Sequence, residues 1–354
     1  MRLPMKDGKI DYEHGKKMVA RAFEAGVNYF DTAFMYHGGA SEKFVGDVLS
    51  QYPRDSYYLA SKLPVWMAKD AADMNRIFEE QRKRCQTEYF DFYMLHALDR
   101  GKWDTVKRYK AYEFVMKKKE EGKVRHVGFS FHDKPEVLKE IAAAHPWEFA
   151  QIQLNYLDWE NYRSREQYEI LAAAKIPIIV MEPLRGGALA KLNPAAVNLL
   201  KSRAPQASPA SWAMRYVGSF PEVITILSGM SADWQLEDNI KTFSPFVPLS
   251  DADRDVLATA LAAYRKQLAV PCTGCAYCLP CPVGVAIPTV FAQYNQLKVS
   301  GKRAELDRAF AAMPPSARPE ACVKCNKCVK ACPQHIDVPA ELEKIVKALG
   351  PAKA

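Results

Sequence analysis

Between residues 11 and 241, apolar positions at helical spacing alternate with short apolar runs of strand length. The helical pattern covers 12–25, 41–51, 70–87, 105–121, 135–144, 164–174, 209–218 and 232–242, and the strand-like runs fall at 28–32, 57–63, 90–95, 124–129, 149–154, 177–181 and 223–227. Strands regularly separated by helices imply a parallel sheet with crossover connections. The pattern is that of a (β/α)8 barrel, which needs one strand more than the seven counted. The chain opens on a helical pattern, so the absent member is the first strand, of which Met1 to Pro4 is at most the C-terminal tip. A shortened chain and a misplaced start would both give this pattern. A barrel short of one strand carries two unpaired edges, which is costly. Residues 194–207 read as a looser insert.

Past residue 241 the pattern changes. Two prolines lie in 242–249, Ser250 has the character of an N-cap, and a helix is expected over 251–268. The expected organisation is a barrel over 1–248, a connecting helix within 249–270, and a separate cysteine-bearing domain over 271–354. Cys85 stands alone in a helical pattern and reads as a buried core thiol. The other eight cysteines all lie in the tail.

Composition narrows the class. The chain is 49% hydrophobic and 25% charged, as globular proteins are. No run of about 18 apolar residues occurs, so no membrane span is expected. The N-terminus lacks the apolar stretch of a secretory signal, which argues for the cytoplasm and against a disulfide framework. The net charge of +8 is carried by lysine-rich solvated faces. No cluster of basic with aromatic residues points to nucleic acid.

The tail has the stronger motif. Cys322-Val-Lys-Cys325-Asn-Lys-Cys328-Val-Lys-Ala-Cys332-Pro333 follows the bacterial ferredoxin run, in which three thiolates wrap one iron–sulfur cube and the fourth reaches another. Zinc ribbons instead place two close pairs on either side of a long loop. Cys272-Thr-Gly-Cys275-Ala-Tyr-Cys278-Leu-Pro-Cys281-Pro282 is its partner, one residue shorter before the last cysteine. Apolar turns follow both motifs, at 283–288 and 335–339, as in a duplicated half. The expected domain is a small, helical, ferredoxin-like one with two [4Fe–4S] clusters. By analogy with two-cluster ferredoxins, Cys272, Cys275, Cys278 and Cys332 hold one cube, and Cys322, Cys325, Cys328 and Cys281 the other.

In the barrel, Asp31, Lys62 and His96 close three successive strand runs, and Tyr36 follows Asp31 in the next loop. Strand ends of a parallel barrel meet at one rim, where active sites lie. Asp31-Thr-Ala-Phe-Met-Tyr36, Lys62 and His96 resemble the Asp, Tyr, Lys and His tetrad of the aldo/keto reductases. Tyr36-His-Gly-Gly-Ala-Ser-Glu42, Gly128-Phe-Ser-Phe-His-Asp133, Met181-Glu-Pro-Leu-Arg-Gly-Gly187 and the cysteine tail resemble the branch with a C-terminal ferredoxin-type domain. The resemblance covers almost the whole chain except the first strand. It implies NADP(H)-dependent reduction of a small carbonyl substrate. Tyr36 would be the proton donor, its pKa of about 10 lowered by the Lys62 ammonium with Asp31 as counter-charge, while His96 orients the carbonyl or shares in a proton relay. It further implies that Ser130 and Gln151 hold the nicotinamide amide and that Met181 stands where an aromatic usually stacks. Asp238 and Asn239 would lie at the adenine. The loop Ser228-Gly229-Met-Ser231 suits phosphate binding, and no Gly-x-Gly-x-x-Gly run supports a Rossmann domain. His37 and His132 flank the rim.

Two functional readings follow. One is an oxidoreductase exchanging electrons among NADP(H), a carbonyl or alcohol and the clusters, with a ferredoxin or flavoprotein as external partner. The other is a non-catalytic iron–sulfur electron-transfer or interaction protein on a degenerate barrel.

Overall fold

The computed structural model describes residues 2–266, 269–272, 274 and 276–350. A short antiparallel hairpin, β1 (Met5–Lys6) with β2 (Lys9–Ile10), precedes a seven-stranded parallel sheet. Its strands run in sequence order: β3 (Tyr29–Asp31), β4 (Tyr58–Leu63), β5 (Phe90–Leu98), β6 (Val124–Phe131), β7 (Phe149–Gln153), β8 (Ile178–Met181) and β9 (Val223–Ile226). Each expected strand forms within a few residues of its apolar run, and the architecture is the expected barrel, one strand short of eight. No pairing joins β9 to β3 among the described residues. The inner strands β7 and β8 are wholly buried, whereas β9 is half-open to solvent along its length, as an edge strand is.

The side-chain alternation of a strand places every second residue inside the barrel. Ala60, Met94, Phe149 and Ile179 form one interior layer, with Tyr29, Phe92 and Leu227 against it. Outside, helices cover the sheet, most with the expected bounds. The helix Tyr12–Glu24 begins at Asp11, whose carboxylate accepts from the His14 amide, and Asp70 caps Ala71–Cys85 in the same way. Cys85 is buried, as its place in the pattern required. The single helix expected over 105–121 is two, Arg100–Tyr109 and Ala111–Glu120, parted by Lys110 in the left-handed conformation.

The chain divides into two compact units. One runs to Pro183 and resumes over Ala213–Pro248; the other joins Leu184–Trp212 to the chain from Leu249 onward. The segment expected as a loose insert is the helix Pro194–Arg203, capped by Asn193. It groups with the tail because it packs on the helix Asp251–Arg265: Asn193 Nδ2 donates to the Ala263 carbonyl (3.0 Å), and Arg203 Nε to Asp253 (2.9 Å). That second helix starts at Ser250 with a capping box through Asp253. The tail core is Val270, Val285, Ile287, Val290, Phe291, Leu306, Ile336, Val338, Leu342, Ile345 and their neighbours, with six of the tail cysteines packed against it: Cys272, Cys278, Cys281, Cys322, Cys328 and Cys332. The apolar turn after each cysteine motif leads into a helix with proline in its first turn, Ile287–Ser300 and Val338–Leu349. No helix among the described residues is long and apolar enough to cross a membrane.

Candidate active site and cysteine cavities

Six of the candidate barrel residues share one inward parity. Asp31, Lys62, His96, Gln151 and Met181 each stand two residues beyond a member of the apolar interior, and Ser130 stands two beyond Gly128. They are the next layer up, at the C-terminal ends of six neighbouring strands. Gly128 leaves room for that arrangement: a Cβ there would lie 2.4 Å from the Phe149 carbonyl. Strand β5 breaks register between Leu95 and Leu98, with Ala97 at φ 53°, and the Ala97 amide donates to Ser130 Oγ at 2.7 Å. This irregularity fixes the segment that carries His96.

Lys62 is fully buried. Its Nζ donates to both Asp31 oxygens at 2.7 Å and to the Thr32 carbonyl at 2.8 Å. The ammonium lies 4.7 Å from the Tyr36 ring centre, and the Tyr36 and His96 rings meet edge to face at 6.0 Å. Tyr36 sits at the start of a turn whose next residues, His37 and Gly38, are left-handed. The four residues therefore converge. The proton affinity of Tyr36 departs from the sequence expectation. Burial, then the Asp31 carboxylate, then Glu182 push the phenol well above its ordinary value. Asp31 offsets much of the Lys62 charge, and at the phenol the loss of water and the two anions nearby outweigh what remains of it. Burial and the Lys62 charge hold His96 well below its ordinary value, so its ring is neutral. His96 Nδ1 is buried with no hydrogen-bond partner. His132 is lowered to about 4 by burial and then Lys102.

Several neighbours escaped the sequence reading. Trp66 lies 5.2 Å from the His96 ring. Glu42, wholly buried, accepts from Ser61 Oγ (2.7 Å) and Gln81 Nε2 (2.6 Å), and Gln81 also donates to the Lys62 carbonyl (3.0 Å). Glu42 stood in the sequence as the last residue of the stretch Tyr36 to Glu42, with no role assigned to it.

Among the candidate cofactor residues, Gln151 is buried, donates to the Met181 sulfur at 3.5 Å, and leaves its Oε1 without a partner. Asn239 Nδ2 donates to Ser228 Oγ at 2.9 Å, which ties the helix Asp233–Phe243 to the loop after β9. Asp238 is half-buried beside Asn239, and Gly229 packs against the Arg2 side chain. A buried amide oxygen without a donor is what a carboxamide ligand would satisfy.

In the tail, two hollows are lined by cysteine. One, of ≈ 340 Å³ counted out to solvent, is lined by Cys278, Cys281, Cys322, Cys325 and Cys328. The other, of ≈ 310 Å³, is bounded by Cys272, Cys278 and Cys332. Cys275 lies outside the described residues. Both hollows draw cysteines from both motifs, and their remaining walls are largely apolar, including Val283, Ile287 and Leu342 around the first and Phe291 and Ile336 around the second, where Gln334 is the polar exception. Thiol donors around an apolar hollow suit an iron–sulfur cube.

The aldo/keto reductase family profile matches residues 1–258, and a 4Fe-4S dicluster domain profile matches 271–336. A probable aldo-keto reductase 1 of Glycine max is 27% identical over 187 residues, 50% of this chain and 52% of that protein; the chain thus spans about half the length of that relative. An NADH-specific methylglyoxal reductase of Escherichia coli (strain K12) is 22% identical over 311 residues, 74% of this chain and 92% of that protein. An aldo-keto reductase from Klebsiella pneumoniae in complex with NADPH shares the fold, with a TM-score of 0.59 and 24% identity over 74% of this chain and 90% of that one. The chain belongs to the aldo/keto reductase family and carries a 4Fe-4S dicluster domain at its C-terminal end.

Proposed function

We propose that this chain is an NADP(H)-dependent oxidoreductase. It interconverts a small carbonyl compound and its alcohol at the rim of Asp31, Tyr36, Lys62 and His96, and its tail holds two [4Fe–4S] clusters as electron carriers. The observation that carries the reading is the buried Lys62 ammonium, bound by both Asp31 oxygens beneath the Tyr36 ring. A buried ion pair contributes little to stability compared with apolar packing, so its place one layer above an apolar core points to chemistry.

When bound, the reduced nicotinamide supplies hydride and the clusters supply one-electron capacity. Tyr36 gives its phenolic proton to the carbonyl oxygen as charge builds there. An alkoxide is far more basic than a phenolate, so a phenol of raised pKa still donates downhill, and it stays protonated until then. Neutral His96 donates a hydrogen bond that orients the carbonyl, and Lys62 sets a positive charge near the developing oxyanion. Ser130 and Gln151 would hold the carboxamide, with Met181 against the ring. Ser228 and Gly229 would meet phosphate, and Asp238 and Asn239 the adenosine end. Cys272, Cys275, Cys278 and Cys332 would ligate one cluster, and Cys322, Cys325, Cys328 and Cys281 the other. NADP(H) is favoured by the NADPH-bound Klebsiella neighbour. The Escherichia coli relative is NADH-specific, so the nucleotide preference is itself a measurement.

The test is Tyr36→Phe in anaerobically prepared protein. Carbonyl turnover should fall by roughly 10²–10⁴-fold with NADPH affinity unchanged. Undiminished turnover removes Tyr36 as the acid, and wild-type protein that fails to bind NADPH while its clusters reduce normally removes the enzymatic reading.

A further inference from the structure

The two cysteine loops perform the same wrapping task with different surfaces. Between Cys272 and Cys281 the intervening residues are Thr, Gly, Ala, Tyr, Leu and Pro, none of them charged. Between Cys322 and Cys332 stand Lys324, Lys327 and Lys330, and no acidic residue occurs from Ala321 to Ile336. All three lysines are exposed, as is Cys325, which lines the hollow it shares with Cys281, Cys322 and Cys328, and Val323, next to Lys324, is 63% exposed. Lys324 meets Glu343 at 2.8 Å, while Lys327 and Lys330 have no ion-pair partner among the described residues. Balancing a cluster's negative charge does not account for these lysines. The first loop would face an equal charge and carries none.

We propose that residues 322–330 form the docking site for an acidic one-electron carrier protein, with the hollow of Cys281, Cys322, Cys325 and Cys328 as the port for electrons. The inference rests on the reading of the clusters as redox-active. The chemistry of the surface selects the partner. Two unpaired lysines on the same short exposed stretch as an exposed valine give a basic surface with a small apolar contact, which steers an acidic surface into place and seats it briefly. One electron crosses per encounter: its loss on one side is a one-electron reduction on the other, and no bond is made or broken. The first loop, uncharged, would not discriminate between acidic and basic carriers.

The experiment uses the anaerobic holoprotein and an acidic plant-type [2Fe–2S] ferredoxin as probe, with cytochrome c as the basic control. Binding is read by calorimetry at about 20 mM and about 200 mM salt, a range that spans strong to weak screening. The ferredoxin should bind at low salt, weaken as salt rises, and lose about tenfold or more in affinity to the Lys327→Glu/Lys330→Glu variant, whose iron content and visible spectrum match wild type. Cytochrome c should gain affinity for the variant. Equal affinity of wild type and variant for the ferredoxin overturns the docking site, as does a variant whose only change is a shifted cluster potential. Photoreduction with a deazaflavin tests the underlying reading separately: clusters that accept no electron overturn the redox role whatever the calorimetry gives.

Discussion

Replacing Asp31 with Asn removes the charge opposite Lys62 and keeps the shape. The Lys62 side chain is fully buried and that of Asp31 is 11% exposed, with both carboxylate oxygens 2.7 Å from Nζ. At that distance the direct attraction is about 6 kcal/mol for an effective dielectric of about 20. Breaking a buried pair from one side costs about 3–5 kcal/mol, because the remaining charge stays out of water. Thr32 still offers its carbonyl at 2.8 Å and Asp31 touches solvent, so the lower end, about 3 kcal/mol, is expected. A unit of this size loses about 2–4 °C per kcal/mol, so the melting temperature should fall by about 6–12 °C. Thermal unfolding by tryptophan fluorescence, on Asp31→Asn, Lys62→Met and the double variant, measures it. With neither charge left, the double variant should regain about half the loss, a coupling of about 1.5 kcal/mol or more. Additive losses, or an Asp31→Asn variant within about 0.5 kcal/mol of wild type, would refute the argument that Lys62 depends on Asp31 for its burial.

Further outcomes follow from the same structure. Stability should decline as pH falls from about 6.5 toward 4, because the folded His96 and His132 stay neutral while the unfolded chain takes up protons over that interval; urea midpoints across pH 7 to 5 read the trend, which a His132→Asn variant should flatten. Cys281→Ser should cut iron from about eight to about four atoms per chain and spare the site of Cys272, Cys275, Cys278 and Cys332, whereas Cys332→Ser should spare the other; a variant that keeps all its iron would show the fourth ligands to be misassigned. Gly128→Ala would set a Cβ 2.4 Å from the Phe149 carbonyl and 2.7 Å from its ring, so a loss of about 1–3 kcal/mol in chemical denaturation is expected.

Strand positions were legible because the inner strands are short and mostly apolar, with β7 and β8 buried on both faces, as parallel strands are. The rim was legible because Asp31, Lys62 and His96 close three successive strand runs, and the strand ends of a parallel barrel meet at one rim. The break at Lys110 was hidden because the apolar spacing continues through it; only a left-handed residue, which lysine does not advertise, parts the two helices. Pro194–Arg203 was missed because its amphipathic signal is weak and its partner helix lies far along the chain. The direction of the Tyr36 shift needed coordinates. Sequence already paired Lys62 with Asp31, but only geometry shows the phenol buried with Asp31 and Glu182 close enough to raise it.

Neither cysteine motif builds a hollow by itself, since each cavity wall is completed by a residue from the other stretch, Cys332 in one case and Cys281 in the other. The segment between Cys281 and Cys322 must therefore fold back before either container exists, and the entropy of closing that loop falls on both at once. A chain ending before Cys322 would forfeit both receptacles rather than one, and maturation of the tail becomes a joint event instead of two successive ones.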